Sequence, residues 1–330
     1  MAARTEPGLP ARFLIMKKKT GFRYSKKPGS VIILRVLVVL IVISVTLFII
    51  YKGFSKSLEL FNKKTESVNN TLTVNELWNK GDYRGVIKIC SERLQKTPLD
   101  KNMLLYSGYS HFYLAVSKLS IEERNRELDL SIRDLRLLKV LPDPPQPEKI
   151  SYILGKAYLF KGKYWADLSK KYLLDSLDSG YTASDTYEFL GKASSMLGEK
   201  TDAVNWYEKA AENFPTDRLL LTLGEELFNL GMYNESAEYY KKAIKITKDE
   251  SLKKRGLSQL AHLYYDVGNY LMAEEVLKTL TGMEPENIDS LFLLGETLYM
   301  LGKEKEARKY WFAVTAINPG HTGALRRLYN

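Results

Sequence analysis

One cysteine and three histidines in 330 residues leave little material for catalysis or metal binding. A lone Cys90 cannot close an internal disulfide, and His111, His262 and His321 stand far apart, with no H-E-x-x-H and no cysteine pair to spell a zinc site. No phosphate-cradling P-loop and no dinucleotide fingerprint occurs. The sequence therefore argues against an enzyme and calls for no cofactor. Cys90 falls on an apolar helix face and reads as a core thiol. Asn69-Asn70-Thr71 and Asn234-Glu235-Ser236 match glycosylation sequons, which matter only in a eukaryotic secretory pathway.

Excess charge is confined to one end. The chain carries a net charge of +10. Residues 1–30 hold Arg4, Arg12, Lys17, Lys18, Lys19, Arg23, Lys26 and Lys27 against Glu6, a surplus of +7. Arg35 adds one and residues 52–70 add two, so residues 71–330 are neutral. Nucleic acid is thereby excluded as a partner of the larger part, since phosphate binding needs a basic surface.

Residues 31–51 form a 21-residue apolar run with a single charge, Arg35. At 1.5 Å per helical residue it spans a bilayer core of about 30 Å. The run exceeds the apolar stretch of a secretory leader, and no small-residue cleavage site follows, so it reads as an uncleaved signal anchor. Eight basic residues precede it and four follow in residues 52–70. The positive-inside rule then puts the N-terminus in the cytoplasm and the rest outside, in the periplasm of a diderm bacterium. The implied location is the cytoplasmic (inner) membrane, crossed once. Phe54, Leu58 and Phe61 follow at helical spacing and predict a short amphipathic stem over 52–66.

The last 140 residues repeat one spacing four times: Leu190-Gly191, Gly198, Ala203; Leu223-Gly224, Gly231, Ser236; Leu260-Ala261, Gly268, Ala273; Leu294-Gly295, Gly302, Ala307. Their small residues stand 33, 37 and 34 apart. Leu220, Leu223, Gly224 and Leu227 lie on one face of a helix, and Gly231 ends it with the left-handed backbone of a C-terminal cap. A second helix follows, and the Gly or Ala of the first is expected to face the Ala or Ser of the second where the two cross. Pro215, Pro285 and Pro319 close three of the second helices.

This pattern resembles the tetratricopeptide repeat (TPR) family, whose W-x₂-L-G-x₂-Y…A-x₃-F…P signature has the same period. The clearest copies are Leu257, Leu260, Ala261, Tyr264, Gly268, Ala273, Leu277, Leu280, Pro285 and Leu291, Leu294, Gly295, Leu298, Gly302, Ala307, Trp311, Pro319. A further copy starts at Leu154-Gly155, Tyr158 and Gly162, with Ala166 shifted into the place Asp167 would take. Upstream, residues 101–141 read as a stretched unit with a charged insert at 120–127, and Trp78, Gly81-Asp82-Tyr83, Ile87 and Pro98 as a unit with a shortened first helix. The expected repeats are 67–100, 101–147, 148–181, 184–217, 217–250, 254–287 and 288–321, with a short capping stub after them. The fold class implied is all-α, a right-handed superhelix of TPR helix-turn-helix repeats in 67–330 behind one N-terminal transmembrane helix.

The resemblance also implies a site. First helices of TPR pairs line a concave groove, and the family's groove positions fall here on Tyr106, Tyr109, Tyr113, Tyr152, Lys156 and Phe160, then on Glu188, Lys192, Arg218, Glu225, Asn229, Arg255, Gln259, His262, Tyr265, Phe292 and Glu296. The first set is aromatic, the second polar. The carboxylate clamp of chaperone-tail receptors is missing, since its positions carry Glu188 and Lys192, Thr222 and Glu225, then Arg255 and Gln259. What the resemblance implies is a membrane scaffold for protein or peptide partners, like the envelope-assembly or translocon-associated TPR proteins of bacteria. A cytosol-facing adaptor and an accessory subunit of a cell-wall or glycan enzyme are the alternatives.

Overall fold

The computed structural model describes residues 28–329, and these contain helices and no strand. The basic segment expected over 1–30 lies almost wholly outside the described residues. The chain divides into two units, one ending at Asn69 and the other running Asn70–Asn330.

Helix α1, Pro28–Asn79, is 52 residues long. Within it, Leu40–Leu60 is long and apolar enough to cross a membrane. The expected span 31–51 begins among residues whose side chains lie outside those described, and it overlaps this stretch over 40–51. None of its residues is buried by protein. Phe54 and Leu58 of the stem are exposed, and the side chain of Phe61 lies outside those described.

The second unit is a row of helix pairs. The end of α1 pairs with α2 (Tyr83–Lys96), α3 (Lys101–Val116) with α4 (Ile121–Val140), α5 (Pro147–Lys161) with α6 (Ala166–Asp178), and α7 (Thr186–Leu197) with α8 (Lys200–Asn213). Then come α9 (Asp217–Asn229) with α10 (Tyr233–Ile246), α11 (Glu250–Asp266) with α12 (Tyr270–Met283), α13 (Ile288–Met300) with α14 (Glu304–Ile317), and a closing helix α15 (Thr322–Tyr329). Each helix packs on its neighbours in sequence, and the first helices of successive pairs also touch, α3 with α5, α5 with α7 and α9 with α11. First helices thus lie side by side in these three places, as neighbouring repeats of a TPR solenoid do.

The turns explain the period. Gly81, Gly198, Gly231, Gly268 and Gly302 all take φ between 71° and 80°, the left-handed cap that a β-carbon would strain. Five residues later each second helix buries Val86, Ala203, Ser236, Ala273 or Ala307. The α5–α6 turn is one residue shorter: Gly162 sits at φ 102°, a 3₁₀ turn at Lys163–Trp165 takes up the difference, and Ala166 is fully buried in the expected place. Helices α2, α8, α12 and α14 end two residues before Pro98, Pro215, Pro285 and Pro319.

Three expectations need correction. The glycines of the first helices do not face only small residues. A β-carbon at Gly191, Gly224 or Gly295 would stand 2.7, 2.6 or 2.5 Å from Tyr207, Tyr240 or Trp311, sixteen residues on. Ser236 still reaches Gly224, donating to its carbonyl at 2.6 Å. The glycine therefore admits an aromatic ring between the two helices. Residues 120–127 are not an insert between helices but the first two turns of α4, started by Ser120, whose hydroxyl accepts from the Glu123 amide, and favoured by Glu122 and Glu123 at the positive end of the helix dipole. The first helix of the first pair is not shortened, since it is the end of α1.

Candidate functional site

Trp78 from the end of α1 is the hub of an aromatic cluster. Its ring centroid lies 5.4 Å from Tyr83 of α2, and 5.7, 6.2 and 5.7 Å from Tyr106, Tyr109 and Tyr113 of α3. Tyr106, Tyr109 and Tyr113 recur at intervals of three and four, which puts all three on one helix face. Tyr83 and Tyr113 stack at 5.2 Å. Contacts of these geometries contribute about 0.5–1.5 kcal/mol each beyond burial, so the wall is held rigidly before any ligand arrives.

Facing this wall across a cavity of about 310 Å³ are Tyr152 and Ile153 of α5, with Gln146, Lys149 and Tyr181. Tyr152 is held from behind. Its hydroxyl donates to Asp185, the Lys156 ammonium donates to the Tyr152 hydroxyl at 2.9 Å and to Asp185 at 2.8 Å, and Tyr181 meets the Tyr152 ring at 5.4 Å. Burial, and then the bond to Asp185, push the Tyr152 phenol far above its ordinary pKa, so it stays a protonated donor. Lys156 also lies 4.5 Å from the Phe189 ring centroid and 4.9 Å from that of Tyr152. It joins α5 to the segment before α7 rather than waiting for an anion. Phe160 packs between Phe112 and Phe189, 6.2 Å from each.

Tyr109 differs from its neighbours. Its hydroxyl is buried with no hydrogen-bond partner among the described residues, whereas Tyr106 donates to Asn75. Burial raises the Tyr109 pKa as well, leaving a neutral O–H inside the cavity wall. An unmade bond of this kind costs about 1–3 kcal/mol.

The candidate groove residues separate into three groups. Tyr106, Tyr109, Tyr113 and Tyr152 line the aromatic cavity, with Lys156 and Phe160 just beyond it. Arg255 and His262 line a second, more polar cavity of about 400 Å³ between α11 and α13, together with Lys254, Glu284 and Asp289. Arg255 pairs with Glu225 at 3.2 Å, both exposed, an interaction of little energetic weight. Tyr265 packs edge-on to Tyr270 at 5.6 Å, and Lys192 and Arg218 are exposed on α7 and α9, in neither cavity. Trp78, Gln146, Lys149 and Tyr181 are cavity residues outside the family's groove positions. Trp78 at the crowded end of a helix, one turn before a Gly-Asp-Tyr turn, was the available signal. Among the described residues no three His, Cys, Asp or Glu side chains gather as a metal ion would need.

Comparison with known proteins agrees with this architecture. Residues 217–250 and 258–321 match models of the tetratricopeptide repeat. A stretch of 80 residues, 24% of this chain, is 32% identical to human protein arginine N-methyltransferase 9, of which it covers 10%. Another of 134 residues, 38% of this chain, is 29% identical to the tetratricopeptide repeat protein 21 homolog of Caenorhabditis briggsae, again over 10% of that protein. The chain thus spans about a tenth of the length of the curated relatives it matches. Among solved structures, the C-terminal part of a TPR repeat-containing protein from Cytophaga hutchinsonii superposes with a TM-score of 0.60 at 15% identity, over 79% of this chain and 100% of its own. The helix pairs form a TPR solenoid.

Proposed function

We propose that this protein is a single-pass, membrane-tethered scaffold that binds a segment of a partner protein against the aromatic wall of α1, α3 and α5, and that it performs no catalysis of its own. The observation that carries this reading is the cavity of about 310 Å³ between Trp78 and Tyr152, walled by the rings of Tyr106, Tyr109 and Tyr113. Rigid aromatic side chains with a few directed polar groups are what binding hot spots are made of. The tether is supported by the unburied apolar stretch Leu40–Leu60. The excess of Lys and Arg before it favours a cytoplasmic N-terminus and a solenoid outside the inner membrane, where it would hold clients during bacterial envelope assembly or beside a translocon.

Two measurements test this. A photoreactive phenylalanine in place of Tyr113, at the mouth of the cavity, should trap a partner in living cells, and the same residue in place of Phe312 on the second helix α14 should not. Equal trapping at both positions, or none at 113, removes the groove from the account. Protease added to intact cells or spheroplasts should digest the solenoid if it lies outside. Protection until lysis would reverse the orientation.

A further inference from the structure

Beyond Leu60, where the stretch long and apolar enough to cross a membrane ends, α1 runs on without a break to Asn79. From Phe61 to Leu72 the sequence is polar except for Phe61, Val68 and Leu72. With the residues before them these make a series, Phe54, Leu58, Phe61, Thr65, Val68 and Leu72, whose steps alternate between four and three. At ~100° per residue all six positions fall within about a quarter turn of the helix. Phe54 and Leu58 are 67% and 48% exposed. In the heptad notation of coiled coils, Leu58, Thr65 and Leu72 take a positions, and Phe54, Phe61 and Val68 take d positions.

The first repeat uses the other side of this helix. Val74 is fully buried with Val86, Cys90 and Met103, and Leu77 and Trp78 pack against that cluster. Those three positions centre roughly half a turn away from the series. Asn75, the next place in the series, accepts from the Tyr106 hydroxyl, so the stripe ends at Leu72. Lipid is a poor cover as well. A helix that continues a spanning stretch can lie in the membrane surface only by bending sharply, and sharp bends need proline or glycine. After Gly53, α1 contains neither.

What fits the stripe is another helix of the same winding. A seven-residue alternation coils two helices together so that the a and d side chains of one fill the spaces of the other. The flanks of the stripe point to a second copy of this chain. Partner choice in coiled coils is set by charges at the e and g positions. Here those places hold Ser55, Ser57, Asn62, Lys64, Asn69 and Thr71, a single charge among six. Two parallel copies set Ser57 beside Asn62 and Lys64 beside Asn69, with no like charges opposed. Lys56, Glu59, Lys63 and Glu66 occupy the outward b and f places, where Glu59 and Lys63 stand four apart in the order that supports a helix. A shared membrane also holds two copies parallel and side by side, which raises their effective concentration.

We propose that α1 pairs with α1 of a second copy in a parallel coiled coil over residues 54–72. This rests on the membrane tether proposed above and not on the groove. The test places single cysteines at each position from 61 to 72 of the full chain, in proteoliposomes at low protein density. Disulfide formation between copies is measured under mild oxidation, with the unsubstituted chain as background for the buried Cys90. Linking should peak at 61, 65, 68 and 72 and be about tenfold or more slower at 63, 66 and 70, on the outer side of the pair. Val68→Asp added to Thr65→Cys should bring linking down to the level of position 63 while helical content stays unchanged. A flat profile, no linking at any position, or linking at 65 that survives Val68→Asp would overturn the pairing. An alkaline wash of the same vesicles reports on the tether separately. A chain that washes off and still shows the four peaks would overturn the tether and leave the pairing standing, and a chain that stays and shows none would do the reverse.

Discussion

The ring of Tyr240 occupies the space that a side chain on Gly224 would fill, with Cε1 only 2.6 Å from where a β-carbon would stand. One repeat later the same two positions hold Ala261 and Leu277, both buried in one cluster. The two pairs are alternative solutions to one crossing. Gly224→Ala gains about 1 kcal/mol in helix propensity and loses about 1–3 kcal/mol to overpacking. The variant should therefore be less stable than the parent. Tyr240→Leu placed on top of it should restore part of the loss, and a denaturant double-mutant cycle measures the coupling. Strict additivity would show that the ring does not set the residue at 224.

The closing helix α15 is held by an ion pair, by Arg308 donating to the Leu328 carbonyl at 3.0 Å, and by burial of Ala324 and Leu328. Arg327 donates from Nε and Nη2 to the Glu296 carboxylate at 3.0 and 2.6 Å, and its guanidinium carbon lies 4.6 Å from the Tyr299 ring centroid. Arg327→Ala leaves a largely buried carboxylate unpaired, at a cost of about 1–3 kcal/mol. Because solenoid stability is a sum over neighbours, the loss should be local. Amide exchange should quicken in 322–329 and remain unchanged in α5 and α7. Unchanged exchange in α15 would mean that burial of Ala324 and Leu328 and the Arg308 bond to the Leu328 carbonyl hold it without the ion pair.

Much of this arrangement is legible in the sequence, and the failures have physical causes. The Gly-to-Ala spacing found the turns because a left-handed cap and a helix crossing each demand a residue type at a fixed place, as Gly231 and Ser236 illustrate. Tyr207, Tyr240 and Trp311 were not anticipated as the residues lying on glycine, because periodicity identifies the buried face but not which side chain crosses to the opposite helix. Lys156 could be placed on the groove by position. Its capture by Asp185 could not, since Asp185 lies 29 residues away. The cavity itself draws Trp78, Gln146, Lys149 and Tyr181 from a helix end, a strained loop and a connection between pairs, and no repeat period links those positions.

Acid should weaken the C-terminal pairs through Glu274. Its carboxylate is nearly buried on α12 and accepts from Lys278 at 2.7 Å and from Lys303 at 2.7 Å. Those bonds hold its pKa below the ordinary 4.5. A carboxyl depressed in the folded state contributes stability that is fully present above the unfolded value and disappears as pH falls through the folded one. Melting curves from about pH 7 down to about pH 3 should show the parent losing stability faster than Glu274→Gln below the ordinary carboxylate pKa, with the gap between the two closing. Parallel curves would exclude Glu274 as a source of the acid sensitivity.

Cys90 offers a readout of the N-terminal pair that needs no label. It is fully buried with Val74, Val86 and Met103, with Trp78 and Tyr106 packed against that cluster. Burial, then the charges of Asp100 and Asp134, push its thiol up to about 12. Since the thiolate is the reactive species, a fraction on the order of 10⁻⁵ at neutral pH makes the native thiol nearly inert. Reaction with a disulfide reagent should follow opening of α2 from α3 and should speed up by orders of magnitude in denaturant. Because Tyr106 belongs both to this cluster and to the cavity wall, a ligand seated on the wall should slow the reaction further, in proportion to occupancy. Rapid modification of the native protein would show that the first pair is open in solution, and the aromatic wall built on it would then have no fixed support.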